Sequence, residues 1–144
     1  MSYESLPHFL GKIDLFEGLS DDTLSDLIER GTRLTVPAGQ HVIEQGADDA
    51  GLQVVLEGSA EVTVSGADRA PLGPGDYFGE ISLVDGLPRS ATVVAGPDGL
   101  TTFALSSLAF APVVKENSDV AQALLKALTA RIRSLEAQNS GAQN

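Results

Sequence analysis

Residues 32 to 64 read TRLTVPAGQHVIEQGADDAGLQVVLEGSAEVTV, and the punctuation of this stretch decides the fold. Arg33-Leu34-Thr35-Val36 runs into the turn Pro37-Ala38-Gly39, and His41-Val42-Ile43-Glu44 runs into Gln45-Gly46-Ala47-Asp48-Asp49. Leu52-Gln53-Val54-Val55-Leu56 and Ala60-Glu61-Val62-Thr63-Val64 flank Glu57-Gly58-Ser59, which reads as a tight hairpin. Branched apolar residues suit the pleated strand, while Gly, Pro and Asp stop it. The same pattern continues outward to Ser106. Strands from Ala91 to Ala95 and from Leu100 to Leu105 are joined by Gly96-Pro97-Asp98-Gly99. Many short strands at near-regular spacing predict a small antiparallel barrel or jelly roll.

Helices are expected on both sides of it. Ser20 is placed as an N-cap, Asp21 and Asp22 fill the first turn, and Leu19 and Leu24 are spaced for a hydrophobic staple. Leu24, Leu27 and Ile28 share a face, and Gly31 ends the element. A shorter apolar segment, Phe9, Leu10, Ile13, Leu15 and Phe16, precedes it. After the strands, Asp119 and Gln122 suit a capping box, with Ser118 as a competing cap. Ala121, Leu125, Leu128, Ile132 and Leu135 then recur at spacings of four and three, the seam of a coiled coil.

The chain has 144 residues, room for one core and one domain. Nine basic and twenty acidic residues give a net charge of −11. Such a surface repels nucleic-acid phosphates, so direct nucleic-acid binding by this chain alone is not expected. No apolar run is long enough to span a membrane, and the first residues lack the features of a signal peptide, so the expected location is cytoplasmic. The absence of cysteine removes disulfides, thiolate metal sites and cysteine nucleophiles. Only His8 and His41 could supply imidazole, and they do not form an H-x-H pair, so no metal site is expected. No G-x-S-x-G elbow is present for a serine nucleophile.

The chemistry concentrates in residues 78 to 93, FGEISLVDGLPRSATV. Gly73-Pro74-Gly75-Asp76-Tyr77 leads through Phe78-Gly79-Glu80 into Ile81-Ser82-Leu83-Val84, one turn of potential helix. Free N–H groups at a helix start, approached across a glycine, suit an anion. Arg89 follows Pro88, whose ring keeps the approach extended, and its fork can pair two oxygens of one phosphate. Ser90 adds a hydroxyl donor. Glu80 is awkward beside an anion unless it accepts a hydrogen bond, and a ribose hydroxyl is the natural donor. Taken singly, Arg89 reads as a solvated loop arginine and Glu80 as a carboxylate at a helix N-terminus. Together, one phosphate and one sugar hydroxyl describe a cyclic nucleotide. Ser82 reads either as a ligand contact or as a helix cap.

These residues resemble the phosphate-binding cassette of the cyclic-nucleotide-binding domains found in bacterial catabolite activator proteins, kinase A regulatory subunits and related channels. The resemblance also covers Leu15-Phe16-Glu17-Gly18-Leu19-Ser20, Pro37-Ala38-Gly39, Gln45-Gly46, Leu56-Glu57-Gly58 and Leu72 to Glu80. It implies that Glu80 takes the ribose 2′-hydroxyl and that Arg89 pairs the cyclic phosphate. The backbone of Gly79, Glu80 and Ile81, together with Ser90, would assist, and Val62 would pack near the base beside a cassette opened by Phe78. Family members selective for cGMP often carry threonine after the arginine. Arg89-Ser90-Ala91 looks more like the bacterial cAMP type, so the expected ligand is cAMP, with cGMP as the alternative and no cofactor.

The expected fold is α+β: N-terminal helices over 1–31, an antiparallel eight-stranded β-roll over 32–106 holding a cassette at 78–92, and C-terminal helices over 107–138. The expected function is that of a regulatory sensor, not an enzyme, coupling ligand binding to movement of the last helix. The alternative is a dimerisation or protein-docking module in which ligand binding is incidental. A homodimer through the last helix, or an unidentified protein partner, is expected to cover its seam, with the helix closing as a lid on the domain's own barrel as the alternative. The start at Met1 and the polar stretch from Gln138 to Asn144 favour a stand-alone receptor over a fragment of a longer polypeptide.

Overall fold

The structure, a computed structural model, describes residues 6–13, 15–17, 19–46, 51–79 and 91–143, with backbone alone at 131, 134, 135 and 138–143. Two helices lead the chain, α1 (Leu6–Gly11) and α2 (Asp21–Arg30). Ser20 is extended and its Oγ accepts from the Thr23 N–H at 3.1 Å, supplying one of the partners that a helix start lacks. Leu19 and Leu24 pack into one cluster with Leu10, Phe16 and Leu27, as a staple requires. Gly31 does close α2, with φ of −97°, so no left-handed turn demands glycine there. Its missing Cβ is needed for another reason: the buried Phe103 ring occupies that space.

The strands form one antiparallel sheet. They are β1 (Thr32–Val36), β2 (His41–Ile43), β3 (Gly51–Val64), β4 (Ala67–Asp68), β5 (Tyr77–Phe78) and β6 (Thr92–Ser106). β6 lies between β1 and β3, β4 follows β3, β2 pairs with β6, and β5 pairs with β3. The antiparallel β-roll with flanking helices is therefore present, but its strands are divided differently from expectation. Leu52–Leu56 and Ala60–Val64 are not the arms of a hairpin. They are two halves of the continuous β3, whose register against β6 shifts on either side of Gly58. Gly96-Pro97-Asp98-Gly99 likewise lies within β6. Among the described residues six strands thus make eight segments.

Glycine explains the misreading. Gly58 and Gly99 both have positive φ, 81° and 80°, and a Cβ on Gly58 would run into the Gly99 carbonyl oxygen. The glycines serve a bulge at which two strands approach closely, and both strands bend there without reversing. The true tight turn comes later, at Ser65 and Gly66, where both φ values are positive as a two-residue hairpin favours.

Alternation along β3 and β6 separates two cores. Leu52, Val54, Phe103 and Leu105 face the helices, with Leu10, Phe16 and Leu27. Val55, Ala60, Val93, Ala95 and Leu100 form the inner cluster of the roll, with Ile43 and Phe78. β3 is buried from Gly51 through Val55, which accounts for the unbroken apolar run that the sequence carries there apart from Gln53.

Two C-terminal helices follow, α3 (Ser107–Glu116) and α4 (Ser118–Gln143). The expected cap at Ser118 or Asp119 is corrected: both residues already belong to α4. Asn117 stands between the helices, its carbonyl oxygen accepting from Val120 N–H at 3.1 Å and its Oδ1 from the Thr23 hydroxyl at 3.3 Å. The expected seam also divides. Val120 and Leu124 are buried in the helical core, and Ala127 and Leu128 pack against it. Leu125 and Ile132 stand 64% and 57% exposed. Leu135 lies among the residues whose side chains are not described. Among the described residues no helix is long and apolar enough to cross a membrane.

Candidate functional site

The approach to the candidate cassette is built from a closed turn. Asp76 N–H donates to the Gly73 carbonyl at 2.9 Å, and the Asp76 carboxylate accepts from Gly73 N–H at 2.8 Å. Gly75 takes φ of 92°, which its lack of a Cβ allows, and its N–H donates to the Val55 carbonyl at 2.9 Å. Val55 N–H donates in return to the Asp76 carbonyl at 2.8 Å. The turn is therefore locked to β3 on both sides, and it delivers Tyr77 and Phe78 opposite Val54 and Gln53.

Of the eight residues expected to touch ligand, three are described. Phe78 is 7% exposed and belongs to the inner cluster of the roll. Gly79 follows it with φ of 92°, a conformation that turns the backbone sharply where an L side chain would be strained. Val62 sits opposite Val93 in the β3–β6 ladder and packs against the same inner cluster, as does Leu72. Phe78, Val62 and Leu72 thus share one apolar wall, and Gly79 leaves its edge. Glu80, Ile81, Ser82, Arg89 and Ser90 lie outside the described residues.

The chain is described again from Ala91, and its return is also pinned. Thr92 opens β6, and its hydroxyl accepts from Gln45 N–H at 2.9 Å. The Gln45 side chain spans to the turn after β3, accepting from Ser65 N–H at 2.7 Å and donating to the Ser65 hydroxyl at 3.2 Å. The described residues on the two sides, Gly73–Phe78 and Thr92, thus each belong to a hydrogen-bonded frame, the first closed on Val55 and the second on Gln45. Among the described residues no three of His, Asp and Glu lie together as metal ligands would.

One pair of polar residues escaped the reading of the sequence. Gln53 is 9% exposed and Thr102 fully buried, and the Thr102 hydroxyl donates to Gln53 Oε1 at 2.8 Å. The available signal was a lone glutamine inside an otherwise apolar run, since buried polar side chains are uncommon and demand partners.

Comparison with known proteins agrees with this geometry. The model of the cyclic nucleotide-binding domain matches residues 33–117, more than half of the chain. A cyclic nucleotide-gated potassium channel of Mesorhizobium japonicum is 38% identical over 96 residues, which are 67% of this chain and 25% of the channel. The chain thus spans about a quarter of that relative's length. The catabolite activator protein of Thermus thermophilus superposes with a TM-score of 0.79 at 28% identity, over 90% of this chain and 63% of that one. The N-terminal domain of a transcriptional regulator from Streptomyces coelicolor A3(2) gives 0.73 at 28% identity, over 90% of this chain and 94% of that one. The regulatory domain of Toxoplasma gondii PKA with cAMP gives 0.68 at 28% identity, over 75% of this chain and 42% of that one.

Proposed function

The chain belongs to the cyclic nucleotide-binding domain family, and on that premise we propose that it reversibly binds a cyclic nucleotide, cAMP in preference to cGMP, as a regulatory sensor without catalytic activity of its own. The observation that carries this reading is the presence of both Glu80 and Arg89 in the segment between Gly79 and Ala91, with Ser90 beside the arginine. Glu80 takes the ribose hydroxyl, Arg89 and Ser90 take the cyclic phosphate, and Gly79, Ile81 and Ser82 complete the cradle. Val62 and Phe78 supply apolar surface on the roll side. The structural relative from Toxoplasma gondii, described as a complex with cAMP, supports the choice of ligand. Calorimetric titration is expected to give saturable binding of cAMP, and cGMP should displace it only at higher concentration. Displacement by cGMP at the lower concentration would reverse the preference, and no heat with either nucleotide would remove the reading.

The response is carried by α4, which joins the domain core at its start and exposes an apolar edge farther along. That edge, Leu125 and Ile132, is best covered by a second copy of the chain, helix against helix. Leu128 is a poor probe of such a dimer because it packs against its own core. Leu125→Glu combined with Ile132→Glu is expected to give a monomer by light scattering while leaving the melting temperature nearly unchanged. A wild-type protein already monomeric at high concentration would exclude the dimer and leave the edge to a different protein.

A further inference from the structure

Gln53 sits on the inner face of the roll. Its Cα partners are Phe78 on β5 and Ala104 on β6, and Thr102 is paired in the same ladder with Val55 of the inner cluster. Cross-strand partners share a face, so the amide of Gln53, the Phe78 ring and the Thr102 hydroxyl all point inward. The Thr102 hydroxyl donates to Gln53 Oε1 and so fixes the direction of the amide. Gln53 Nε2 has no acceptor among the described residues, although the side chain is nine-tenths buried. An unmatched donor in an apolar interior is costly, and a protein rarely holds one without use for it.

Its place says what the use is. Phe78, the cross-strand neighbour of Gln53, is followed directly by Gly79, where the cassette begins. We infer that Gln53 is a ligand-binding residue, its Nε2 donating to an oxygen on the sugar–phosphate side of the bound cyclic nucleotide, with Thr102 as the positioning residue that aims it. This rests on the binding function proposed above. A neutral donor suits a buried position, because it recognises an oxygen without placing a charge in the apolar interior.

The test separates binding from folding. Gln53→Met keeps the length of the side chain and removes the donor. Paired with Thr102→Val, it removes both partners and leaves apolar groups of similar shape. Such a replacement is expected to leave the ligand-free melting temperature unchanged or raised, since the unmatched donor disappears with its desolvation cost. Affinity for cAMP measured by calorimetry should nevertheless fall about tenfold in both variants, the loss of one buried hydrogen bond. Thr102→Val alone should lose most of the same affinity, and Thr102→Ser, which keeps the hydroxyl, should restore it. In wild-type protein labelled with ¹⁵N, the Gln53 side-chain NH₂ resonances, assigned by their absence in Gln53→Met, should shift on saturation with cAMP. Unchanged affinity in the double variant, or affinity and melting temperature falling together, would overturn the inference. A wild-type protein that binds neither cAMP nor cGMP would instead overturn the binding function beneath it.

Discussion

Arg89→Ala is expected to lower cAMP affinity by roughly one to three orders of magnitude. A hydrogen bond to a charged group contributes about 1.5–3 kcal/mol, and a guanidinium can form two to one phosphate. The rest of the molecule cannot compensate, because its net charge of −11 repels the ligand. Arg89→Lys should fall between the two, retaining the charge and losing the fork. Glu80→Ala should cost less, because it removes a contact to a neutral hydroxyl. Calorimetry measures the affinities directly. Thermal unfolding gives a second readout, since saturating ligand raises the melting temperature of any form that binds it. If Arg89→Ala keeps both wild-type affinity and the full thermal shift, the assignment of the phosphate to this arginine is wrong.

Gly58→Ala is expected to be the most damaging single methyl group in the roll. It forces an L residue into φ of 81° and drives its Cβ into the carbonyl oxygen of Gly99 on the crossing strand. The left-handed backbone alone costs about 1–2 kcal/mol, and the collision brings the total to about 3 kcal/mol or more. For a chain of this size, that should lower the melting temperature by about 10 °C. Gly39→Ala provides the comparison. Gly39 has nearly the same φ, 79°, but nothing lies within 4 Å of a Cβ added there. It should show the backbone cost alone, about 3–7 °C. Equal shifts in the two variants would mean that the strands do not meet at Gly58 as described.

The same glycine shows where sequence reading succeeds and where it stops. Capping chemistry is local, so Ser20 could be recognised from the two acids and the apolar residues around it, and its hydroxyl does accept from Thr23. A glycine between two apolar runs is compatible with a hairpin or a bulge, and only the partner strand decides. For Gly58 the deciding group is Gly99, forty-one positions along the chain. On α4, positions 120, 124 and 128 and positions 121, 125 and 128 both satisfy helical spacing, and Leu128 belongs to both. The residue that breaks the tie is Val120, and it does so by docking into a core assembled from α1, α2 and β3. Gln53 was legible as an anomaly but not as a member of a pair, because Thr102 comes from a different strand. The expectation for the cassette needed no partner strand, since its residues lie in a run of consecutive positions, 78 to 93, of which 80 to 90 fall outside the described residues.

Asn117 gives the long helix a fulcrum. The residue is bonded to Val113 of α3 and to Thr23 of α2, which lies 94 positions away. Val120 and Leu124 are buried just beyond it, whereas every described side chain past Leu128 is exposed. With 26 residues, α4 extends about 39 Å, so a tilt of about 10° at its base sweeps the far end through about 7 Å. The helix is a lever with a short arm inside the domain and a long arm outside it. Under the response proposed for this helix, a displacement at its root too small to disturb the packing of Val120 would arrive at the tip magnified to the scale of a whole side chain.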